Sequence, residues 1–271
     1  MQPLTVQLLA QLAHSNAILV RVQASQGSVP REVGAWMAVF VDASIGTVGG
    51  GRLELDAMAH ARALLRDPAL TRLQRYALGP RLGQCCGGQV TLAFEPLSAL
   101  DLPTLAHRLQ NLQTPPLPVA LFGSGHVGTA LVRALSLLPM RVTWIDSRDT
   151  AFPNDTPVGV QCEPSTPVEG AVPTLAPRSR VLVMSFSHAE DFAIVNACLL
   201  RQRRFGDLPF IGLIGSKTKW STFSHRLQAK GFSAAELAHV TCPIGLPGIR
   251  DKRPEVIAAL VAAQLLLTSV P

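Results

Sequence analysis

The chain has 271 residues, of which 48% are hydrophobic and 15% charged, and its formal net charge is +6. This composition excludes a disordered chain, and no apolar run approaches the ~18 residues of a membrane span. Five cysteines, two of them adjacent, do not fit a disulfide framework, and the N-terminus shows no secretory signal pattern. We therefore expect a soluble, cytoplasmic protein with one large domain or two domains of ordinary size.

The positive charge does not indicate a nucleic-acid partner. The pI is near 9.5, but the basic residues are scattered, and they form neither a Lys/Arg block nor a basic helix stripe. A modest excess of positive charge suits an anionic small molecule or cofactor equally well. We expect neither a nucleic acid nor a membrane as a partner.

The first half of the chain predicts a small α+β domain at residues 1–112. Hydrophobic spacing predicts a helix, two strands, a helix, two strands and a helix, in that order. These elements lie at residues 4–14, 17–23, 36–42, 53–65, 72–78, 89–94 and 105–112. The unusual residues fall in the connecting loops, which is where a rigid scaffold carries function.

A proline-rich linker at residues 113–118 is predicted to separate this half from a second domain at residues 119–271. In the second domain strands alternate with helices, and Pro254 opens the last helix. The predicted elements before that helix lie at residues 119–122, 126–138, 141–145, 158–162, 180–185, 191–201, 210–214 and 217–229. This alternation predicts an α/β domain with a Rossmann-like, doubly wound parallel sheet.

The segment Gly123-Ser124-Gly125-His126-Val127-Gly128 follows a predicted strand and opens a predicted helix. In this pattern the first glycine allows a tight turn, the second lets backbone approach a phosphate, and the third lets helix and strand pack closely. Asp146 ends the next strand, near the position expected to bind a ribose. The motif predicts the fold and leaves two possibilities, a bound dinucleotide or a fold that binds none.

A pair of cysteines lies in the glycine-rich segment Gly83-Gln84-Cys85-Cys86-Gly87-Gly88. Adjacent cysteines do not easily share one tetrahedral zinc ion. In a glycine-rich loop, however, backbone can approach a ligand, and local N–H groups can lower the pKa of a thiol. Cys85 and Cys86, with Gln84 and Gly87 beside them, are therefore candidate ligand-contacting residues; inert core cysteines are the alternative.

Three consecutive glycines, Gly49, Gly50 and Gly51, precede the predicted helix at residues 53–65. They suit either a strained connection or an anion-binding helix N-terminus. Arg31, which follows Pro30, is a cation in the same half that could contact the same anion.

Two histidines lie where a doubly wound sheet binds ligands, at the carboxyl ends of its strands. His126 is inside the glycine-rich segment, and His188 follows the fourth predicted strand of the second domain. The sequence contains no serine nucleophile elbow, Walker lysine loop or His-Glu-x-x-His motif. We therefore assign no catalytic residue.

Six motifs in a fixed order closely resemble the XdhC/CoxI family, the bacterial accessory proteins of xanthine dehydrogenase and related molybdenum hydroxylases. The likeness runs from about residue 17 to residue 267 and covers both predicted domains. The motifs are Gly27-Ser28-Val29-Pro30-Arg31, Gly49-Gly50-Gly51, Gly83-Gln84-Cys85-Cys86-Gly87-Gly88, Phe122-Gly123-Ser124-Gly125-His126-Val127, Ile211-Gly212-Leu213-Ile214-Gly215-Ser216-Lys217 and Cys242-Pro243-Ile244-Gly245-Leu246.

The resemblance implies a chaperone of the molybdenum cofactor that has no turnover of its own. Such a protein binds molybdopterin, holds it while a cysteine desulfurase replaces an oxo ligand by sulfido, and delivers it to apo xanthine dehydrogenase. The phosphate of the cofactor suits a glycine-rich helix N-terminus, and its soft metal suits a thiolate, so Cys85 and Cys86 are the expected metal contacts. Self-association, as a homo-oligomer, is expected from the resemblance as well.

One segment departs from the family pattern. After the strand at residues 180–185 the family commonly shows Thr-His-Asp-His-x-x-Asp, whereas this chain has Ser185-Phe186-Ser187-His188-Ala189-Glu190-Asp191. A role that needs the first His and first Asp therefore does not carry over. Two rival functions stay open: an NAD(P)-dependent oxidoreductase using residues 123–128 and Asp146, and a protein-binding regulatory module.

Overall fold

The computed structural model describes residues 3–78, 87–112 and 115–268. The chain divides into two compact units, Met1–Pro115 and Pro116–Pro271, and each unit has its own sheet and its own hydrophobic cores. Over the described ranges, no helix combines the length and the apolar character needed to cross a membrane.

The first unit is built on a five-stranded antiparallel sheet with strand order β3-β2-β1-β5-β4. Its elements are α1 (Pro3–Leu12), β1 (Ala17–Gln26), β2 (Trp36–Val39), β3 (Ser44–Gly46), α2 (Gly51–Arg66), β4 (Leu73–Ala77), β5 (Gln89–Leu97), a 3₁₀ turn (Ala99–Asp101) and α3 (Leu102–Leu112). Strand β3 was not predicted, because three residues are too few to show a strand period.

The alternation of side chains along β1 gives this sheet a core on each face. Ile18 and Val20 lie in the core that α2 covers, whereas Ala17 and Leu19 lie in the core that α1 and α3 cover. Successive side chains of a strand point to opposite faces, so one apolar strand serves both cores. Each fully buried side chain of the size of Val20 contributes about 1.5–3 kcal/mol. The sheet is therefore a rigid base for the loops at its edge.

The second unit is a six-stranded parallel sheet with strand order β11-β10-β9-β6-β7-β8. Its elements are β6 (Leu117–Phe122), α4 (His126–Leu135), β7 (Met140–Asp146), β8 (Gln161–Pro164), a 3₁₀ segment (Val168–Thr174), β9 (Arg180–Val183), α5 (His188–Phe205), β10 (Phe210–Leu213), α6 (Lys217–Ala229), α7 (Ala234–Leu237), β11 (Val240–Thr241) and α8 (Pro254–Leu267).

Helices cover both faces of this second sheet, as the doubly wound pattern requires. Residues of α4 and α8 share one core with the sheet, and residues of α5 and α6 share the other. The chain reverses its direction of travel across the sheet between β6 and β9, which are hydrogen-bonded neighbours. The predicted α/β fold class is confirmed, and the carboxyl ends of β6 and β9 form the switch point where such sheets bind ligands.

Several boundaries in the second unit differ from the sequence prediction, and three of them have a clear consequence or cause. The strand expected at residues 158–162 lies at Gln161–Pro164, and α5 begins at His188 because the Ser187 hydroxyl caps it. Strand β6 includes Pro118, which the sequence placed in the linker. β6 pairs with β9 only from Val119 onward, so the missing N–H of Pro118 removes no bond to that neighbour.

Candidate functional site

The glycine-rich loop after β6 has two glycines that protein packing requires. Gly123 has a φ of 110°, and a Cβ there would clash with the carbonyl oxygen of Met184 at the end of the neighbouring strand. A Cβ at Gly128 would clash with the carbonyl oxygen of Gly123. Only glycine allows this close approach of the loop, the neighbouring strand and helix α4. The first and last glycines of the motif are thus explained by the fold.

Gly125 is different, because the described protein atoms give no reason for a glycine there. Its φ is −68°, which any residue adopts, and a Cβ would have no described atom within 4 Å. Gly125 is also the N-cap of α4 and has no side chain to bond the first helical N–H groups. These N–H groups lack intrahelical partners and carry the positive end of the helix dipole. This position is therefore suited to the close approach of an anion.

Asp146, at the end of β7, fixes the glycine-rich loop. Its carboxylate is 2% exposed and accepts hydrogen bonds from the backbone N–H (2.9 Å) and the hydroxyl (2.7 Å) of Ser124. It also accepts from Arg148 at the backbone N–H (3.0 Å), Nε (2.9 Å) and Nη2 (3.0 Å). Burial raises the pKa of Asp146, but the Arg148 and Ser124 donors outweigh it and bring that pKa to about 2.

These bonds bear on the ribose-binding role predicted for Asp146. Both carboxylate oxygens already accept from the protein's own donors. Its neighbour Arg148 brings a positive charge to the place where a ribose diol was expected. The arrangement therefore favours an anionic group over a neutral diol beside the loop.

A cavity of about 620 Å³ lies between the glycine-rich loop, α4, the segment after β7 and the start of α8. The described residues lining it are Ser124, Gly125, His126, Thr129, Ala130, Arg133, Ala134, Arg148, Ala151, Pro254, Glu255, Ala258 and Ala259. Its volume is in the range of small-molecule sites. Arg133 is paired with Asp155 at 2.7 Å, and His126 is exposed at the first turn of α4.

Arg148 was not predicted as a site residue, although it comes two residues after Asp146 and dinucleotide-binding folds often carry an arginine near this strand end. His188 was predicted, and it is the exposed first residue of α5, outside the cavity wall. Phe186, in the loop after β9, is also outside that wall, but the guanidinium carbon of Arg148, which lines the cavity, lies 4.8 Å from its ring centroid.

A buried ion pair lies farther along the same edge of the sheet. The Lys219 ammonium donates to Asp191 at 2.6 Å and to the carbonyl oxygen of Ile214 at 2.8 Å. Asp191 also accepts from the backbone N–H and hydroxyl of Ser185. The pair therefore ties the loops after β9 and β10 together. Nothing in the sequence pattern singled out Lys219, because its partner lies 28 residues away.

Cys242, after β11, is half-buried next to this pair. Burial raises the pKa of its thiol, and the positive charge of Lys219 opposes that rise in part. In residues 3–78, 87–112 and 115–268, no group of three His, Cys, Asp or Glu side chains is placed to hold a metal ion.

Described parts of three sequence motifs of the first unit meet at one edge of its sheet. A Cβ at Gly49 would lie 2.5 Å from Cγ of Pro30, and one at Gly88 would clash with the carbonyl oxygen of Ser28. The segments 27–31, 49–51 and 87–88 are therefore neighbours, as a shared site requires, and Arg31 contacts Glu32 at 3.6 Å there.

The glycine turn before α2 uses most of its own donors. One carboxylate oxygen of Glu54 accepts from the backbone N–H groups of Val48 (3.1 Å) and Gly50 (3.0 Å) and from the hydroxyl of Thr47 (2.5 Å). The Gly49 N–H donates to Thr47. Burial raises the pKa of Glu54, but these donors outweigh it and lower that pKa overall. The structure therefore supports a self-satisfied connection at this turn more than an anion site.

Gln84, Cys85 and Cys86 lie outside the described residues. Gly87, the next residue, is exposed, and Gly88 is buried against the 27–31 loop. The role predicted for the two thiols stays a prediction.

Comparison with known proteins gives two family matches. The model of the XdhC Rossmann domain matches residues 119–265, and the model of the XdhC and CoxI family matches residues 10–77. The Escherichia coli K12 protein YqeB, itself uncharacterized, is 26% identical over 253 residues. That match takes in 92% of this chain and only 42% of YqeB, so this chain spans less than half the length of that relative.

A solved structure from Bacillus halodurans, described as a xanthine dehydrogenase, has the same fold. It superposes with a TM-score of 0.79 over 99% of this chain and 96% of its own, at 20% sequence identity. At that identity the match establishes the architecture of the two units and leaves the chemistry to the residues themselves.

Proposed function

This chain belongs to the XdhC and CoxI family, and from that premise we propose that it is an accessory factor in the maturation of a xanthine dehydrogenase-type molybdenum hydroxylase. In this proposal it binds the molybdenum cofactor, molybdopterin, and holds it for sulfuration by a cysteine desulfurase. It then delivers the cofactor to the apo-hydroxylase. The protein itself carries out no turnover.

The observation that carries the proposal is the uncapped start of α4 at Gly125. Its backbone accommodates any residue, a Cβ would meet no described atom, and the position faces a cavity of about 620 Å³. A glycine that the described packing does not need is explained by a ligand that comes close to the backbone. Molybdopterin carries a phosphate, one of the anions that helix N-termini bind.

The residues around Gly125 fit the phosphate end of that cofactor. The first N–H groups of α4 would donate to it, and the Ser124 backbone that precedes them is held by Asp146. Arg148 adds a positive charge whose position Asp146 fixes by two guanidinium hydrogen bonds. The bound cofactor supplies the molybdenum chemistry of the client enzyme, and this chain supplies a preorganised anion site.

As a separate proposal, which the family resemblance supports, Cys85 and Cys86 contact molybdenum. Thiolates are soft ligands that suit molybdenum better than carboxylates do. Their neighbours Gly87 and Gly88 lie near the 27–31 loop, where Arg31 and the Gly49 turn are also found.

An NAD(P)-dependent oxidoreductase is the second candidate. The geometry at Asp146 argues against the usual mode of dinucleotide binding, in which this carboxylate binds the ribose diol. A ribose diol needs a free carboxylate oxygen, and both oxygens of Asp146 accept from Ser124 and Arg148. Titration with NADH and NADPH separates the two candidates. Micromolar binding together with turnover of an aldehyde or 2-hydroxy acid would support the oxidoreductase and contradict the chaperone.

The proposed function is tested by purifying the protein from a host that makes molybdopterin. The expected result is oxidised-pterin fluorescence and molybdenum that stay with the protein through gel filtration. The double variant Cys85→Ala/Cys86→Ala should lose most of the molybdenum, and Cys162→Ala, which changes an exposed thiol of the second unit, should keep it. A wild-type protein without pterin would overturn the proposal.

The partners are tested with the same preparations. The loaded protein should restore activity to a purified apo-hydroxylase, and only after incubation with the desulfurase and cysteine. A chain that stimulates the hydroxylase without any bound pterin would instead be a protein-binding regulator. Sedimentation of the purified chain tests the expected homo-oligomer.

A further inference from the structure

The loop after β9 presents a phenylalanine to solvent next to the cavity. Phe186 is 69% exposed, and the guanidinium carbon of Arg148, which lines the cavity, lies 4.8 Å from its ring centroid. Single exposed apolar side chains are common on proteins. This ring differs from most because it stands beside the cation of a candidate ligand site.

The loop that carries Phe186 is fixed on both sides of it. The Ser185 backbone N–H and hydroxyl donate to Asp191 at 2.8 and 2.7 Å, and Asp191 is held in turn by Lys219. On the other side the Ser187 hydroxyl accepts from the Glu190 backbone N–H and caps α5. A ring on such a fixed loop loses little conformational entropy when a ligand covers it.

Two contacts place this loop beside the glycine-rich loop. The backbone of Met184 closes against Gly123 so tightly that a Cβ there would clash. The hydroxyl of Ser147 donates to Glu190 at 2.6 Å, which joins the segment after β7 to the start of α5. Phe186 and Arg148 are thus held in one loop cluster with Gly125.

We propose that Phe186, backed by Arg148, is a stacking platform for a planar heteroaromatic ring whose phosphate binds at the start of α4. Aromatic rings bind such heterocycles face to face whatever their hydrogen-bonding edges. Pterins and purine nucleotides share this chemistry, a flat heterocycle joined to a phosphate. The inference rests on the proposed function only through the phosphate position, and it names the residue that holds the ring.

The chain supplies a matched control for Phe186. Phe205, at the end of α5, is 62% exposed and has the Arg204 guanidinium 4.9 Å from its ring centroid. It lies at the C-terminal end of α5, whereas Phe186 precedes the start of that helix, and Arg204 does not line the cavity as Arg148 does. Phe205→Ala therefore removes a similarly exposed, arginine-backed ring and should leave ligand binding unchanged.

The test is calorimetric titration of the purified full chain with neopterin monophosphate, with neopterin and with AMP. Phe186→Ala should weaken the binding of both phosphate probes about tenfold, and Phe186→Trp should restore it because the tryptophan ring also stacks. Neopterin, which lacks the phosphate, should bind more weakly than its monophosphate to every variant. Unfolding curves of the variants check that each one is folded.

The outcomes separate this inference from the proposed function. Equal affinity of wild type and Phe186→Ala for both phosphate probes would overturn the stacking role and leave the pterin proposal standing. Phe186-dependent binding of AMP, with no binding of neopterin monophosphate, would support the platform and contradict the pterin proposal. Failure of wild type to bind either phosphate probe would overturn both.

Discussion

The two units each contain a glycine-rich turn before a helix, and the turns differ in where their hydrogen-bond donors go. Before α2, Glu54 folds back from the first turn of its own helix and accepts from the N–H groups of Val48 and Gly50. Before α4, the acid is Asp146 on the next strand, and it bonds the Ser124 N–H one residue ahead of the N-cap. The first turn of α4 contains no acidic residue of its own.

The difference shows that a glycine-rich turn and a helix are not enough to indicate a ligand site. An acid inside the helix neutralises the positive helix end, whereas an acid behind the loop fixes the loop and leaves that end available. The position of the acid relative to the N-cap separates the two cases. This criterion is the reason why we propose the anion site at the start of α4 and not at the start of α2.

The largest expected effect is the loss of folding when either packing glycine of the α4 loop is changed. Gly123→Ala and Gly128→Ala should each destabilise the second unit by more than about 4 kcal/mol, because the new Cβ has no room. Gly125→Ala is the control and should change stability by less than about 1 kcal/mol, because its Cβ meets no described atom. Urea unfolding followed by circular dichroism measures all three. Equal losses of stability in the three variants would contradict the claim that packing requires Gly123 and Gly128 but does not require Gly125.

The next effect concerns Asp146, whose pKa of about 2 lies below the ordinary value of 3.8. A depressed folded-state pKa contributes stability that is complete above the unfolded pKa and is lost as the pH falls through the folded pKa. The contribution is about 2 kcal/mol at pH 7, so Asp146→Asn should be destabilised by about that amount. The difference in the free energy of unfolding between wild type and variant should decrease by about 1 kcal/mol as the pH falls from 5 to 3. A difference in unfolding free energy that does not change with pH would show that the charge of the Asp146 carboxylate does not stabilise the glycine-rich loop.

The smallest effect tests the turn before α2. Glu54→Gln removes the charge that the Val48 and Gly50 N–H groups bond, and it should destabilise the first unit by about 1 kcal/mol. It should leave the affinity for phosphate-bearing pterins unchanged. Tighter binding of these ligands by Glu54→Gln would mean that the turn is an anion site after all, with Glu54 competing for it.

Much of this architecture was predictable because it depends on local periodicity and on glycine spacing. The alternation of strands and helices after residue 119 predicted the doubly wound sheet, and the 123–128 motif predicted the turn at its switch point. The short strands β3 and β11 were not predicted, because two or three residues show no period and their pairing partners are set by the tertiary structure.

The sequence predicted where several residues of the candidate site lie, but it did not predict which contacts these residues make. Asp146 lies at the predicted strand end, but its bonds to Ser124 and Arg148 depend on distances that a sequence does not contain. The Asp191–Lys219 pair joins residues from two different helices, and the platform at Phe186 depends on an arginine that follows a different strand. Contacts of this kind arise when loops from separate strands meet at one edge of a sheet.

The central claim is that the start of α4 binds the phosphate of a molybdopterin-type cofactor, and titration of the chain with molybdopterin under anaerobic conditions tests it most directly. Pterin fluorescence should report saturable binding by wild type. In Gly125→Val, the side chain would occupy the space next to the first N–H groups of α4, so the affinity should fall at least about tenfold, with the fold intact. Equal affinity in the two proteins, or no binding by wild type, would contradict the claim.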